Sequence, residues 1–142
     1  MKINIIKAEG TKNHFLIIRK EKKYQKMKTI LKKIIAKTNY NRIDGILWIS
    51  ESKCADFKMD YYNNDGSWET MCANGARCAA LFMYEQKLIE KNKMKIETGD
   101  GYHKAEILNN NYVKITMNTP EYQTRCIKVN GVEGLLLQLL KN

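Results

Sequence analysis

The sequence predicts an α+β domain in which a sheet wraps over one buried helix. Short runs of alternating apolar residues, bounded by turn-forming Asn, Asp and Gly, recur along the 142-residue chain. Among them lies a stretch (Ala76, Cys78, Ala79, Ala80, Leu81, Phe82, Met83, Leu88 and Ile89) that is rich in helix formers and apolar on nearly every side. A helix with so little polar face belongs inside. The length suits one domain with a real core, burying roughly two-thirds of its unfolded surface.

Lys2 to Lys7 and Phe15 to Arg19 read as short strands around the polar turn Glu9-Gly10-Thr11-Lys12, with Asn13 just past the turn. From about residue 20 to residue 37, Tyr24, Met27, Leu31, Ile34 and Ile35 recur at helical spacing, and the lysines between them take the other face. That helix ends near Thr38-Asn39-Tyr40-Asn41. Gly45 to Ile49 is a short apolar strand and Ser50 to Lys53 a loop. Phe57, Met59 and Tyr61 alternate with Lys58, Asp60 and Tyr62, which predicts a half-buried strand.

This strand leads into Asn63-Asn64-Asp65-Gly66-Ser67, a reversal in which Asn and Asp tolerate left-handed backbone and Gly supplies it freely. Past the central helix, Met94 and Ile96 alternate with lysines and Gly99-Asp100-Gly101 makes a turn. Tyr102 to Ile107 then pairs with Tyr112 to Met117 across Asn109-Asn110-Asn111. Pro120, the sole proline, closes this meander. Residues 121–142 form an apolar tail: Cys126 to Val129 has strand character, and the leucine-rich end from Gly131 has almost no polar face. Such a surface must pack on this domain, on a second copy or on a missing domain.

The net charge of +10 is unevenly placed. Residues 1–42 hold thirteen Lys and Arg against Glu9 and Glu21, whereas the rest of the chain is nearly neutral. A phosphate-binding patch comes with a recognition element or interleaved stacking aromatics. Here most of these lysines lie on one helix face, so a solvated face is expected and nucleic acid is not. Four irregularly spaced cysteines offer neither paired metal ligands nor a disulfide framework, and His14 and His103 are not spaced as a metal site. Without a signal-peptide core or an uncharged apolar run, the expectation is a cytoplasmic chain with no membrane contact.

Chemistry concentrates at Cys72. It sits in the turn that opens the central helix, where the amides of Ala73, Asn74 and Gly75 point out of the first turn and favour an anion. Thiol pKa values fall to roughly 3.5–7.5 in such places, so a thiolate is expected beside an anion cradle. Most free cysteines are instead small buried hydrophobes. The Asn- and Gly-flanked position argues against that for Cys72, while Cys78, inside the apolar helix, fits it.

The run Asn63 to Cys78, Asn-Asn-Asp-Gly-Ser-Trp-Glu-Thr-Met-Cys-Ala-Asn-Gly-Ala-Arg-Cys, resembles the active-site signature of diaminopimelate epimerases, cofactor-independent amino-acid racemases. The likeness continues in Gly10 to Phe15, Ile43 to Leu47, Thr98-Gly99 and Met117 to Pro120, so it spans residues 1–120 and matches the family's first half. The resemblance implies a curved, mostly antiparallel sheet around a central helix, with residues 1–120 as the domain. It implies no cofactor and a small amino-acid substrate. Two cysteines, one from each of two pseudo-symmetric domains, would move protons at the α-carbon.

Carried over, Cys72 is the catalytic acid/base, the amides of Ala73 and Asn74 hold the substrate carboxylate, and Asn13 and Asn63 hydrogen-bond the substrate. As plain sequence, Asn13 and Asn63 are loop and turn asparagines. Arg77 and Asp65 are expected to brace the turn. No second cysteine motif exists in these residues, so the partner group would come from another chain or from a second copy. Ala73 stands where the signature has glycine, His14 where it has aspartate, and Trp68 where smaller or acidic residues are common. A racemase of another amino acid, histidine for one, and a non-catalytic basic binding module remain alternative readings.

Overall fold

Apolar alternation on both faces of one strand demands a layer on each side, and the middle of this sheet has both. The computed structural model describes residues 4–19, 26–38, 42–109, 112–119, 122–129 and 132–139. In chain order the elements are β1 (Ile5–Gly10), β2 (Asn13–Arg19), α1 (Met27–Lys37), β3 (Gly45–Ser50), β4 (Phe57–Asn63), β5 (Trp68–Glu69) and α2 (Ala73–Glu85). They continue with β6 (Lys93–Thr98), β7 (Gly101–Ile107), β8 (Val113–Thr116), β9 (Tyr122–Val129) and β10 (Val132–Leu139). The main sheet is eight-stranded and runs β1-β2-β3-β4-β6-β7-β8, with β5 on β4. The β2–β3 and β4–β6 pairings are parallel and the rest antiparallel. A parallel pair needs a crossover, and α1 and α2 are those crossovers.

Helix α2 is the expected central helix. It packs on β1, β2, β3, β4, β7 and β8, so the sheet curls far enough for both of its edges to reach the same helix. Its inward side, Ala76, Ala79, Ala80 and Met83, meets Phe15, Ile17, Leu47, Ile49, Phe57, Met59, Met94 and Ile96. The opposite face of β2 and β3 (Leu16, Ile18, Ile46 and Trp48) packs with Tyr62 on Leu31, Ile34 and Ile35 of α1. The lysines at 28, 32, 33 and 37 on α1 face solvent, as expected of a solvated face. Residues 20–25, where that helix was expected to begin, lie outside the described residues, as do residues 2 and 3 of the first expected strand and residues 39–41 after Thr38.

Several expectations change in detail. Strand β4 is not half-buried, because Asp60 and Tyr62 on its second face are only 4% and 5% exposed. Trp68 donates its indole N–H to the Asp60 carboxylate at 3.1 Å, which lets a charged residue sit in that layer. The first hairpin is tighter than expected. Gly10 pairs with Asn13, leaving only Thr11 and Lys12 in the turn, at φ +53° and +66°. Two left-handed residues are what a two-residue hairpin needs to match the strand twist.

Helix α2 ends at Glu85, so Leu88 and Ile89 lie beyond it. Lys87 adopts φ +53°, and the amides of Lys87 and Leu88 return to the carbonyls of Tyr84 and Met83, both at 3.0 Å. This is a Schellman close with lysine where glycine is usual. In the tail, β9 and β10 pair antiparallel from Val132↔Val129 to Leu139↔Tyr122 as a two-stranded sheet of their own. Pro120 and residues 110–111 of the asparagine loop are outside the described residues. Among those described, no helix is long and apolar enough to cross a membrane, and no cluster of three metal-ligating side chains occurs.

Candidate active site

The site is assembled where β2, β3 and β4 end level with the start of α2. Gly45 pairs with Phe15 on one side and Asn63 on the other, which brings three strand ends to one rim. The Asp44 amide donates to the His14 carbonyl at 2.8 Å and the Asn64 amide to the Asp44 carbonyl at 3.1 Å, stitching that rim together. Asn63 closes the following turn. Its amide donates to the Ser67 carbonyl at 2.8 Å, and its side-chain nitrogen donates to Ser67 Oγ at 3.1 Å. Asp65 accepts from both the amide and the hydroxyl of Ser67, at 2.8 and 2.6 Å. Gly66 takes φ +80°, and a Cβ there would lie 2.9 Å from the Lys28 carbonyl oxygen, so the turn rests on the start of α1.

Cys72 caps α2. It has extended backbone (φ −139°, ψ 108°), and its Sγ accepts from the Gly75 amide at 3.4 Å. That is the geometry of an N-cap side chain, with sulfur in place of the usual oxygen. The thiol is half-buried, neither walled into the core nor free in solvent. Burial pushes its pKa up, while the amides of Gly75 and Asn74 and the charge of Arg77 pull the other way without overcoming it. The expectation of a lowered thiol pKa is therefore corrected: burial outweighs the helix start and favours the protonated sulfur. The sequence shows the helix start but not how much chain covers it. Cys78 is buried, as expected for a packing residue, and burial together with the nearby Cys72 pushes its thiol up to about 11.

Asn13 Oδ1 accepts from Asn74 Nδ2 at 2.7 Å, and Asn74 Oδ1 accepts from Arg77, which also donates to Thr11 Oγ1 at 3.2 Å. Arg77 thus ties the first hairpin to the helix start and does not brace the turn after β4. Asn13, Ala73, Asn74 and Cys72 are brought into one cluster. Asn63 stands at the same rim with its side chain committed to Ser67. The Ala73 amide, at the first helical position, has no intrahelical acceptor. Ala73 and Gly75 differ in what they tolerate. A Cβ at Gly75 would lie 2.5 Å from Leu47 Cδ2, so close approach of helix to sheet requires glycine there.

Sequence reasoning assigned no role to two residues of this rim. Asp44 accepts from the His14 amide at 2.8 Å, from Asn13 Nδ2 at 3.4 Å and from Arg42 Nε at 3.2 Å. Chiefly through the His14 amide, its carboxyl is held below the usual range. It fixes the side chain of Asn13, and its signals were an acidic residue directly before an apolar strand and the family likeness of Ile43 to Leu47. Tyr61 meets Phe15 edge-on with ring centroids 6.2 Å apart. Burial, with the acidic groups of Cys72, Asp44 and Glu69 nearby, pushes its hydroxyl up to about 12. A cleft of about 540 Å³ lies between β1, α2 and β8, lined by Ile6, Gly10, Arg77, Cys78, Phe82 and Tyr112, and Cys72 does not line it.

A capping cysteine, an Asn–Asn–Arg chain behind it and a curled sheet around its helix are thus in place. The profile described as Diaminopimelate epimerase matches residues 5–123. The chain belongs to the diaminopimelate epimerase family. The Diaminopimelate epimerase of Leptospira biflexa is 34% identical over 120 residues, covering 84% of this chain and 43% of that protein. That of Aquifex aeolicus is 32% identical over 142 residues, covering 89% and 50%. The chain therefore spans about half the length of the curated relatives it matches. Among solved structures, a hydroxyproline epimerase from Agrobacterium vitis superposes with a TM-score of 0.66 at 12% identity, over 96% of this chain and 48% of that one. This shared fold agrees with the α+β architecture expected from the sequence.

Proposed function

We propose that this chain supplies the first of two halves of an amino-acid epimerase, acting at the α-carbon of LL-diaminopimelate with Cys72 as one of two proton-transfer groups. Inverting a stereocentre without a cofactor needs one group to take the α-proton from one face and another to deliver a proton to the opposite face. As one sulfur removes the proton, the C–H electron pair moves into the carboxylate. The second sulfur then gives its own proton to the other face and is left as the thiolate. Amides at the start of α2 offset the charge gathering on the carboxylate, and donors of this kind are each worth about 3 kcal/mol in comparable oxyanion sites.

The observation that carries the reading is the capping geometry of Cys72, with its sulfur on the Gly75 amide at 3.4 Å beside the Asn74–Asn13 pair. Because burial favours the thiol, Cys72 is poised as the proton donor in one direction and becomes the base in the other. Asn13, held by Asp44, and the amides of Ala73 and Asn74 receive the substrate's carboxylate end. Asn63 supports the rim through Ser67. The opposing cysteine comes from a second half, on another segment or another chain.

The test is deuterium incorporation from D2O at the α-carbon of LL-diaminopimelate. The chain is assayed alone and mixed with the C-terminal half of a full-length family member. Exchange that appears on mixing and disappears in Cys72→Ala supports the reading. Equal exchange by Cys72→Ala removes Cys72 from the chemistry. Exchange of another amino acid in place of diaminopimelate would reassign the substrate and keep the mechanism.

A further inference from the structure

His103 is a buried titratable side chain for which the proton-transfer site has no use. Its side chain is fully enclosed, at 0% exposure. Its Nε2 lies 2.8 Å from Asp100 Oδ1 and its Nδ1 lies 3.4 Å from the Thr116 carbonyl oxygen. Both of those partners are acceptors, so either neutral tautomer forfeits one contact. The ring therefore spans β7 to β8 and pins Asp100 in the turn before β7. Asp100 also accepts from the buried Thr98 hydroxyl at 2.6 Å, and its backbone carbonyl accepts from Asn118 Nδ2 at 3.2 Å. His103, Thr98 and Asn118 all converge on Asp100, which is more than closure of a short turn requires.

What that turn holds is the approach to Cys72. The Gly99 amide donates to the Thr70 carbonyl at 2.8 Å, two residues ahead of the thiol. The contact is close because Gly99 lacks a side chain. A Cβ there would lie 2.5 Å from the Trp68 ring and 2.8 Å from the Thr70 Cα. Strand β5, which delivers Trp68 and Glu69 into this segment, is only two residues long and pairs on one side with β4. So short a strand leaves the backbone of the next segment few ladder bonds, and the Gly99 amide adds one to the packing of Met71 on the core.

We propose that His103 and Asp100 are positioning residues for Cys72: they lock the Thr98–Gly101 turn, whose Gly99 amide anchors Thr70 and so fixes where the sulfur meets the first turn of α2. Neither residue touches substrate. The proposal builds on the reading of Cys72 given above, but its readout is the state of the thiol and not turnover.

The experiment compares the native chain with His103→Phe, His103→Gln and Asp100→Asn. Gly99 amide exchange is followed by NMR, and alkylation of Cys72 as a function of pH is read peptide by peptide in the mass spectrometer, which separates it from exposed Cys54. In His103→Phe, Gly99 should exchange about tenfold faster. The Cys72 alkylation midpoint should fall by about half a pH unit, because loosening the covering segment relieves the burial that holds the proton on. Glutamine, which can still donate to Asp100, should restore both values. If Gly99 loosens while the Cys72 profile superimposes on that of the native chain, the clamp is structural only and the proposal is overturned. It is overturned equally if neither value moves. Asp100→Asn takes the carboxylate charge out of the contacts with His103 and Thr98 and so weakens both, and it serves should the phenylalanine variant not fold; an unchanged profile there counts against the proposal in the same way. Failure of α-carbon exchange alongside a shifted profile would sink the epimerase reading and leave the clamp standing.

Discussion

At the scale of single residues the sulfur of Cys72 is governed by two opposed effects, and burial is the larger. The sign for reactivity follows. A thiol whose pKa is raised is alkylated slowly at neutral pH and gains rate only as pH climbs past the ordinary free-thiol range of about 8.5. Peptide-resolved labelling should place the Cys72 midpoint above that value, and a midpoint below it would mean that the helix amides win. Position was legible in the sequence, because Asn-, Gly- and Ala-flanked cysteine before an apolar run marks a helix start. Protonation was not, since it depends on how much of the sheet rim covers the sulfur, and no local pattern of residues carries that. Asp44 shows the same limit: it acts on Asn13, thirty-one residues away.

Elements show where local rules were bent. Lys12 at φ +66° and Lys87 at φ +53° hold left-handed backbone that glycine adopts without strain. Lys12→Gly and Lys87→Gly should each stabilise the chain by about 0.5–1 kcal/mol in urea unfolding. Loss of stability in either would show that its side chain contributes packing. Where helix meets sheet the rule reverses. Gly75→Ala puts a methyl group against Leu47 and should cost about 1–3 kcal/mol despite the gain in helix propensity. Leu47→Ala should cost about 2–5 kcal/mol alone, and less than the sum when combined with Gly75→Ala, because the two changes share one space. Strands such as β6 and β7 were readable from alternation. The second face of β4 was not, because Asp60 reads as a solvent residue until the Trp68 indole is seen to meet it.

Across the whole molecule, acid should be the weak side. Asp44, Asp56, Asp100 and Glu97 all have carboxyls held below their ordinary values of 3.8 for aspartate and 4.5 for glutamate. For Asp44 and Glu97 the main causes are the His14 amide and the Ser52 hydroxyl. In Asp56 and Asp100, burial opposes the shift and is outweighed by hydrogen bonds from Lys91 and Lys95 and from Thr98 and His103. A depressed folded-state pKa contributes stability that is full above the unfolded value and is lost as pH falls through the folded one. The urea midpoint should therefore stay level from about pH 7 to 5 and drop below about pH 4. A midpoint unchanged down to about pH 3 would show these carboxylates to be incidental.

The covered sulfur also bears on how well Cys72 survives oxidation. Peroxides attack the anion far faster than the protonated form, and the sulfinic and sulfonic acids that follow are not reversed by ordinary reductants. A fold that pushes the Cys72 thiol up by burying it shields that sulfur from oxidative loss.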